Sequence, residues 1–207
     1  LAVNKRTIVL ASASPRREEI LRSVHLPFTI VPSGIDETQH RGRSAADHVK
    51  KLAELKASEV ARRIPSGLVI GADTVVAIDD QILEKPRDRS QARHMLNELS
   101  GRWHQVLTGV CLIKAETGER RLGCEVTQVK FASMQPDEVQ WYVATGEPMD
   151  KAGAYAIQGY GALFIERIEG NYLNVVGLPL QLMYRLAGEL GVDLKSELMR
   201  PGGEEVT

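Results

Sequence analysis

Ile8-Val9-Leu10-Ala11-Ser12-Ala13-Ser14-Pro15-Arg16-Arg17 changes from an apolar, β-branched run to a polar one at Ser12. The first half reads as a buried strand over 7–11 and the second as the entry to a helix over 15–25. Ser14 suits the N-cap and Pro15 the first helical position, and Ile20, Leu21 and Val24 follow at helical spacing. A strand that feeds a helix so quickly is a building unit of an α/β protein. Arg16 and Arg17 then fall in the first helical turn, where free N–H groups and the helix dipole disfavour a cation by roughly 0.3–1 kcal/mol each. A phosphate seated among them would relieve that penalty. A solvated arginine pair balanced by Glu18 and Glu19 explains this stretch equally well.

Outward from this point the pattern alternates. Phe28–Val31 reads as a short strand. Residues 32–43 form a polar, irregular loop that carries Gly34, Asp36, Glu37 and Gln39. A helix is expected over about 45–63, with Ser44 as N-cap and Asp47 behind it. Leu68–Ile78 is a strongly apolar strand ending in an Asp79-Asp80 turn, and a helix follows over 88–100. Segments 103–115 and 120–132 flank Thr117-Gly118 as an antiparallel hairpin. Next come a helix over 136–145, a glycine-dotted loop over 146–161, a strand over 163–168 and a helix over 179–190. The chain past about 195 is expected to be a flexible tail. Hairpins beside crossovers imply a mixed sheet.

With 207 residues, the chain suits one domain, 1–207, built as two lobes. A formal charge of −1 gives no drive toward nucleic acid polymers or anionic membranes, so any phosphate recognition must be local. Cys111 and Cys124 show no C-x-x-C spacing and read as reduced core residues. No apolar run approaches the roughly 18 residues a membrane helix needs. A soluble, cytoplasmic chain is expected.

Asp73 breaks the apolar run 68–78, and a carboxylate buried without a partner costs several kcal/mol. It reads either as a structural acid paired with a core cation or as a catalytic or metal-linked group. Gly71 beside it permits close approach of a backbone or a ligand. Lys56 shares the core-facing stripe of Val49, Leu52, Ala53 and Val60, either snorkelling or aimed into a cleft. Lys85, stiffened by Pro86, and Glu37 are unremarkable alone. No glycine cluster fits a P-loop or a dinucleotide fingerprint, and the five histidines lack zinc spacing. No G-x-S-x-G elbow comes with a plausible triad, and the aromatics form no stacking platform. Arginines, lysines and a few carboxylates remain, the groups that polyphosphate hydrolysis employs.

In combination, these segments resemble the Maf family of nucleoside triphosphate pyrophosphatases. The resemblance rests on Leu10-Ala11-Ser12-x-Ser14-Pro15-Arg16-Arg17, Gly71-Ala72-Asp73-Thr74, Glu84-Lys85-Pro86 and Leu99-Ser100-Gly101. It continues through the block from Gly146 to Tyr155, Ile157-Gln158-Gly159 and Val176-Gly177-Leu178-Pro179, and spans about residues 7–190. It implies a Maf/inosine-triphosphatase-like α/β fold, a mixed twisted sheet with flanking helices and two lobes around a deep cleft. It also implies a homodimer and cleavage of a nucleoside triphosphate to the monophosphate and pyrophosphate with a divalent cation, Mg or Mn. Asp73 resembles the proton acceptor for the attacking water. Ser12, Arg17, Lys56 and Lys85 resemble triphosphate contacts, and Glu37 resembles an acid that holds the cation together with Asp73.

Arg16, Thr74 and Gln158 resemble the specificity positions of the branch that acts on dTTP and UTP. A sister branch that acts on 7-methyl-GTP carries Trp, Gln and Glu there. A cationic methylated guanine suits an aromatic face and a carboxylate, whereas a neutral uracil or thymine ring suits an amide. The resemblance therefore implies hydrolysis of dTTP, UTP and modified pyrimidine triphosphates, clearing non-standard nucleotides. The alternatives are a 7-methyl-GTP pyrophosphatase and a nucleotide-sensing regulator of cell division that acts by binding partners.

Overall fold

The computed structural model describes residues 6–37, 44–79 and 81–198. Residues 38–43 of the expected polar loop (Gln39 among them), Asp80 of the expected turn and residues 199–207 of the expected tail lie outside these. The first part of that tail is instead ordered, with a 3-10 turn at Leu194–Glu197 whose buried Glu197 accepts from Arg6 N–H at 3.2 Å. The described chain is a mixed α/β structure. Strands β1 (Ile8–Leu10), β2 (Thr29–Ile30), β3 (Leu68–Ile78), β4 (Gln81–Leu83), β5 (Trp103–Lys114), β6 (Arg120–Phe131) and β7 (Ile165–Glu169) make one sheet. Its order is β2-β1-β3-β5-β6-β7, with β4 also paired to β3. β1 runs parallel to both β2 and β3, and the other pairings are antiparallel.

The helices are α1 (Pro15–Ser23), α2 (Ala45–Ala61), α3 (Arg89–Leu99), α4 (Pro136–Ala144), α5 (Tyr172–Val176) and α6 (Leu180–Glu189). β4 and α5 carry no sequence signal of their own, being three and five residues long. Residues 146–161, expected to be a plain loop, contain 3-10 turns at Glu147–Asp150 and Ala152–Ala154 and the start of a third at Gly159–Phe164. That third turn delays the expected strand at 163 to Ile165. Ser14 occupies the N-cap of α1, but its hydroxyl makes no capping bond. Ser44 does cap α2, accepting from Asp47 N–H at 3.1 Å.

Successive residues of a strand face opposite sides of the sheet, and the core divides accordingly. Val69, Val75, Ala77, Leu107, Cys111 and Ile113 lie under α2. On the other face, Leu68, Ile70, Ala72, Val110 and Leu112 pack with α1 and α6. Farther along that face, Val76, Ile78, Val106, Val129 and Phe131 pack with α3 and α4. Two glycines set the depth of α2. A Cβ on Gly71 would stand 2.2 Å from the Ala53 carbonyl oxygen, and one on Gly109 would stand 2.3 Å from that of Val49. Gly71 thus admits a helix backbone, and α2 lies directly on β3 and β5.

β5 occupies one edge of β3 along residues 68–77. On the opposite edge, β1 pairs only with residues 68–70 and β4 only with 76–78. Residues 71–75 have no strand neighbour on that edge among the described residues. Asp73 stands in the middle of this interval.

Candidate active site

The interval opens onto a cleft of about 700 Å³. All nine residues singled out from the sequence line it: Ser12, Arg16, Arg17, Glu37, Lys56, Asp73, Thr74, Lys85 and Gln158. The alternation of β3 explains how neighbours reach it from different sides. Asp73 turns toward α2 and Thr74 toward α1, and both remain accessible because no strand covers the edge between them.

On the α2 side, Lys56 Nζ donates to Asp73 Oδ1 at 2.7 Å and lies 2.9 Å from Glu37 Oε1. Lys56 and Asp73 are each only 6 % exposed. The lysine is therefore not snorkelling; its ammonium is held between two carboxylates. Burial pushes the Glu37 carboxyl up, but the charge and hydrogen bond of Lys56, with Lys85 and Arg17 farther off, outweigh this and hold it below its ordinary value. The close packing of α2 at Gly71 and Gly109 is what brings Lys56 to this depth.

On the other side, Arg17 is buried in the first turn of α1. Its Nε donates to the Gly177 carbonyl at 2.9 Å, one terminal nitrogen donates to Ser12 Oγ at 3.1 Å, and the other donates to Thr74 Oγ1 at 3.1 Å. All three acceptors are uncharged. Burial lowers the Arg17 pKa from its ordinary value, Asp73 and Glu37 pull it up from a distance, and Arg16 lowers it further. The reading of a solvated arginine pair fails for this residue. Glu18 pairs with Arg22 at 2.6 Å, and Arg16 reaches Asp150 at 3.3 Å across the cleft mouth. A buried guanidinium bonded only to neutral oxygens is suited to an incoming anion.

Several positioning contacts could not be read from the sequence, although Gly177, Lys85 and Glu147 lie in stretches that carry the family resemblance. Gly177 caps α5 at φ 128°, a conformation that favours glycine and that presents its carbonyl to Arg17. Lys85 follows β4, whose pairing with β3 sets it at the cleft rim. The loop bearing Gln158 is held by Glu147. Its carboxylate accepts from Tyr142 O–H at 2.8 Å, Gly161 N–H at 2.9 Å and Tyr160 N–H at 3.0 Å. The Tyr142 oxygen in turn accepts from Ala156 N–H at 3.2 Å. Each of these contacts joins residues whose partnership depends on the fold, so no local motif announces it.

The donor set suits a hard divalent cation of one kind. Among the described residues there is no cluster of three or more His, Cys, Asp or Glu that could hold a metal by itself. Glu37 and Asp73 are nevertheless neighbours, both reaching the Lys56 ammonium, at 2.9 and 2.7 Å. Mg²⁺ is commonly bound by one or two carboxylates, with phosphate oxygens and water completing its shell. The residues present fit that arrangement.

The family profile described as Maf-like protein matches residues 7–190. A dTTP/UTP pyrophosphatase of Symbiobacterium thermophilum is 48% identical over 184 residues, covering 89% of this chain and 94% of the relative. One from Moorella thermoacetica is 50% identical, covering 90% and 96%, and one from Bacillus velezensis is 45% identical, covering 90% and 98%. Among solved structures, one described as that of the Staphylococcus aureus Ham1 protein aligns with a TM-score of 0.49 at 13% identity, covering 89% of this chain and 90% of that one.

Proposed function

This chain belongs to the Maf-like protein family, and from that membership we propose that it is a nucleoside triphosphate pyrophosphatase acting on dTTP and UTP. The observation that carries the reading is the convergence of Arg17, Lys56, Lys85 and Asp73 on one cleft at the open edge of β3. Arg16, Thr74 and Gln158, at the same cleft, favour a neutral pyrimidine over a methylated guanine. Modified pyrimidine triphosphates fit the same recognition. No helix among the described residues is long and apolar enough to cross a membrane. We assign the enzyme to the cytoplasmic nucleotide pool, and to a homodimer that sedimentation would test.

Arg17, Lys56, Lys85 and the Ser12 hydroxyl bind the triphosphate tail. Asp73 orients a water toward the α-phosphorus and accepts its proton. With Oδ1 engaged by Lys56, this role falls to Oδ2. The water oxygen bonds to the α-phosphorus as the bond to the bridging oxygen breaks, leaving monophosphate and pyrophosphate. Charge that builds on the departing group meets Arg17 and Lys85. Maf-family pyrophosphatases generally use divalent metals. Glu37 and Asp73 would hold the cation here, and when bound it supplies neutralisation of the phosphate oxygens.

A metal-dependent panel of nucleotides with direct detection of pyrophosphate tests the reading. Pyrophosphate release from dTTP and UTP, with 7-methyl-GTP poorly used, is the expected result. Orthophosphate as the sole immediate product would overturn it.

A further inference from the structure

A run of buried hydroxyls leads away from the cleft behind Thr74. Thr74 Oγ1 lies 2.9 Å from Thr108 Oγ1, its cross-strand neighbour on β5. Thr108, fully buried, donates to the Asn174 backbone carbonyl at 3.1 Å. That carbonyl belongs to α5 and is held firmly. The Asn174 side-chain amide donates to the Val106 carbonyl and to Thr127 Oγ1, both at 2.9 Å, and its N–H donates to Asn171 Oδ1.

Proton counting fixes the sense of this chain. A threonine hydroxyl has one hydrogen and two lone pairs. A carbonyl only accepts, so the single Thr108 hydrogen is spent on Asn174. In the contact between the two threonines, Thr74 must therefore be the donor. Thr74 also accepts from Arg17 at 3.1 Å. Its hydrogen and one lone pair are used, and what it offers the cleft is the second lone pair. Ser12 is the opposite case. Its oxygen accepts from Arg17 at 3.1 Å and from Ser14 N–H at 3.2 Å, so it faces the cleft with its hydrogen. The two hydroxyls that flank the Arg17 guanidinium thus have opposite polarity, a donor suited to phosphate oxygen and an acceptor that requires a donor.

We propose that Thr108 is a positioning residue that makes Thr74 an acceptor-only group, so that the cleft selects nucleosides presenting a hydrogen-bond donor at that point. This rests on the pyrophosphatase reading above and adds to it the polarity of one specificity contact. Two donors on the substrate would serve, the ring N–H of uracil or thymine and the sugar 3′-hydroxyl. A site built to receive a donor rejects the analogue lacking it strongly, because a buried polar group is left unpaired.

The test measures kcat and KM for UTP against CTP, whose ring has no N–H, and for dTTP against 2′,3′-dideoxy-TTP, which lacks the hydroxyl. The wild-type enzyme should disfavour one analogue at least about tenfold in kcat/KM, and which one identifies the donor. In Thr108→Val the Thr74 proton loses its acceptor and can turn into the cleft. That ratio should then fall several-fold, largely through KM, while Thr108→Ser keeps the wild-type ratio. Loss of stability alone would slow all four nucleotides alike. Equal use of both pairs by the wild type, or an unchanged ratio in a folded Thr108→Val, overturns the inference and leaves the pyrophosphatase reading intact. If Thr108→Val does not fold, the wild-type comparison decides. Failure to cleave either dTTP or UTP would overturn both.

Discussion

Asp73 and Lys56 form a buried ion pair whose members have different jobs, and substitution separates them. Asp73→Asn keeps the shape and a hydrogen-bond acceptor for Lys56 but removes the proposed base. Turnover should fall at least about 10²-fold, with nucleotide binding by calorimetry and the folded state largely retained. Near wild-type pyrophosphate release would remove Asp73 from the mechanism. Lys56→Met instead strands a buried carboxylate, which costs about 3–5 kcal/mol when a buried pair loses one partner. Its denaturant midpoint should drop well below that of Asp73→Asn. At the rim, exposed Lys85 has no such structural duty. Lys85→Ala should cost about 1.5–3 kcal/mol of charge-assisted binding, roughly tenfold to a hundredfold in kcat/KM, with an unchanged melting curve. Asp73, Lys56 and Arg17 were legible in the sequence because each contradicts its surroundings, an acid in an apolar strand, a lysine on a core stripe and an arginine at a helix start, whereas Lys85 came only with the family resemblance. Thr108 and Asn174 were not, since a threonine in a strand or an asparagine in a short helix contradicts nothing.

The long elements announced themselves through their apolar patterns, and so did the short strands β1 and β2, while β4 and α5 did not. β3 is found where the apolar run puts it, at Leu68–Ile78, whereas β4 depends on its pairing with β3 and α5 on its contacts with β5 and β6, among them the bonds of Asn174 to Val106 and Thr127. The contact of α2 with the sheet is an element-scale property that one atom can disturb. Gly71→Ala or Gly109→Ala introduces a Cβ into carbonyl oxygens little more than 2 Å away. Overpacking of this kind costs about 1–3 kcal/mol. It should also lift α2 enough to weaken the Lys56 contact, so activity should fall more steeply than stability. β5 carries a second device. His104, packed edge-on with Phe131 and Tyr155, has its Nε2 2.8 Å from the Tyr155 hydroxyl. Burial lowers its pKa from 6.5 to about 3. Between those values the unfolded chain holds a proton that the folded protein refuses, so stability falls as the pH is lowered through this window. The slope is at most about 1.4 kcal/mol per pH unit from this one group. His104→Gln should flatten the dependence of melting temperature on pH between about 6 and 4, and an unaltered slope would assign it to other groups.

For the molecule as a whole, a near-neutral chain concentrates positive side chains where two faces of one sheet meet at an edge. That convergence could be suspected from motifs and could not be derived from them. It depends on β1 stopping at Leu10, opposite Ile70, and β4 stopping at Leu83, opposite Val76, which are consequences of strand length and pairing. The gap left along β3 has a dynamic consequence. Backbone amides of residues 71–75 that point away from β5 have no strand to protect them, so in the free enzyme they should exchange with deuterium sooner than their neighbours. A nucleotide occupying the gap would act as the missing strand. Shielding confined to these few amides would then provide a direct physical record of occupancy, independent of whether any bond is cleaved.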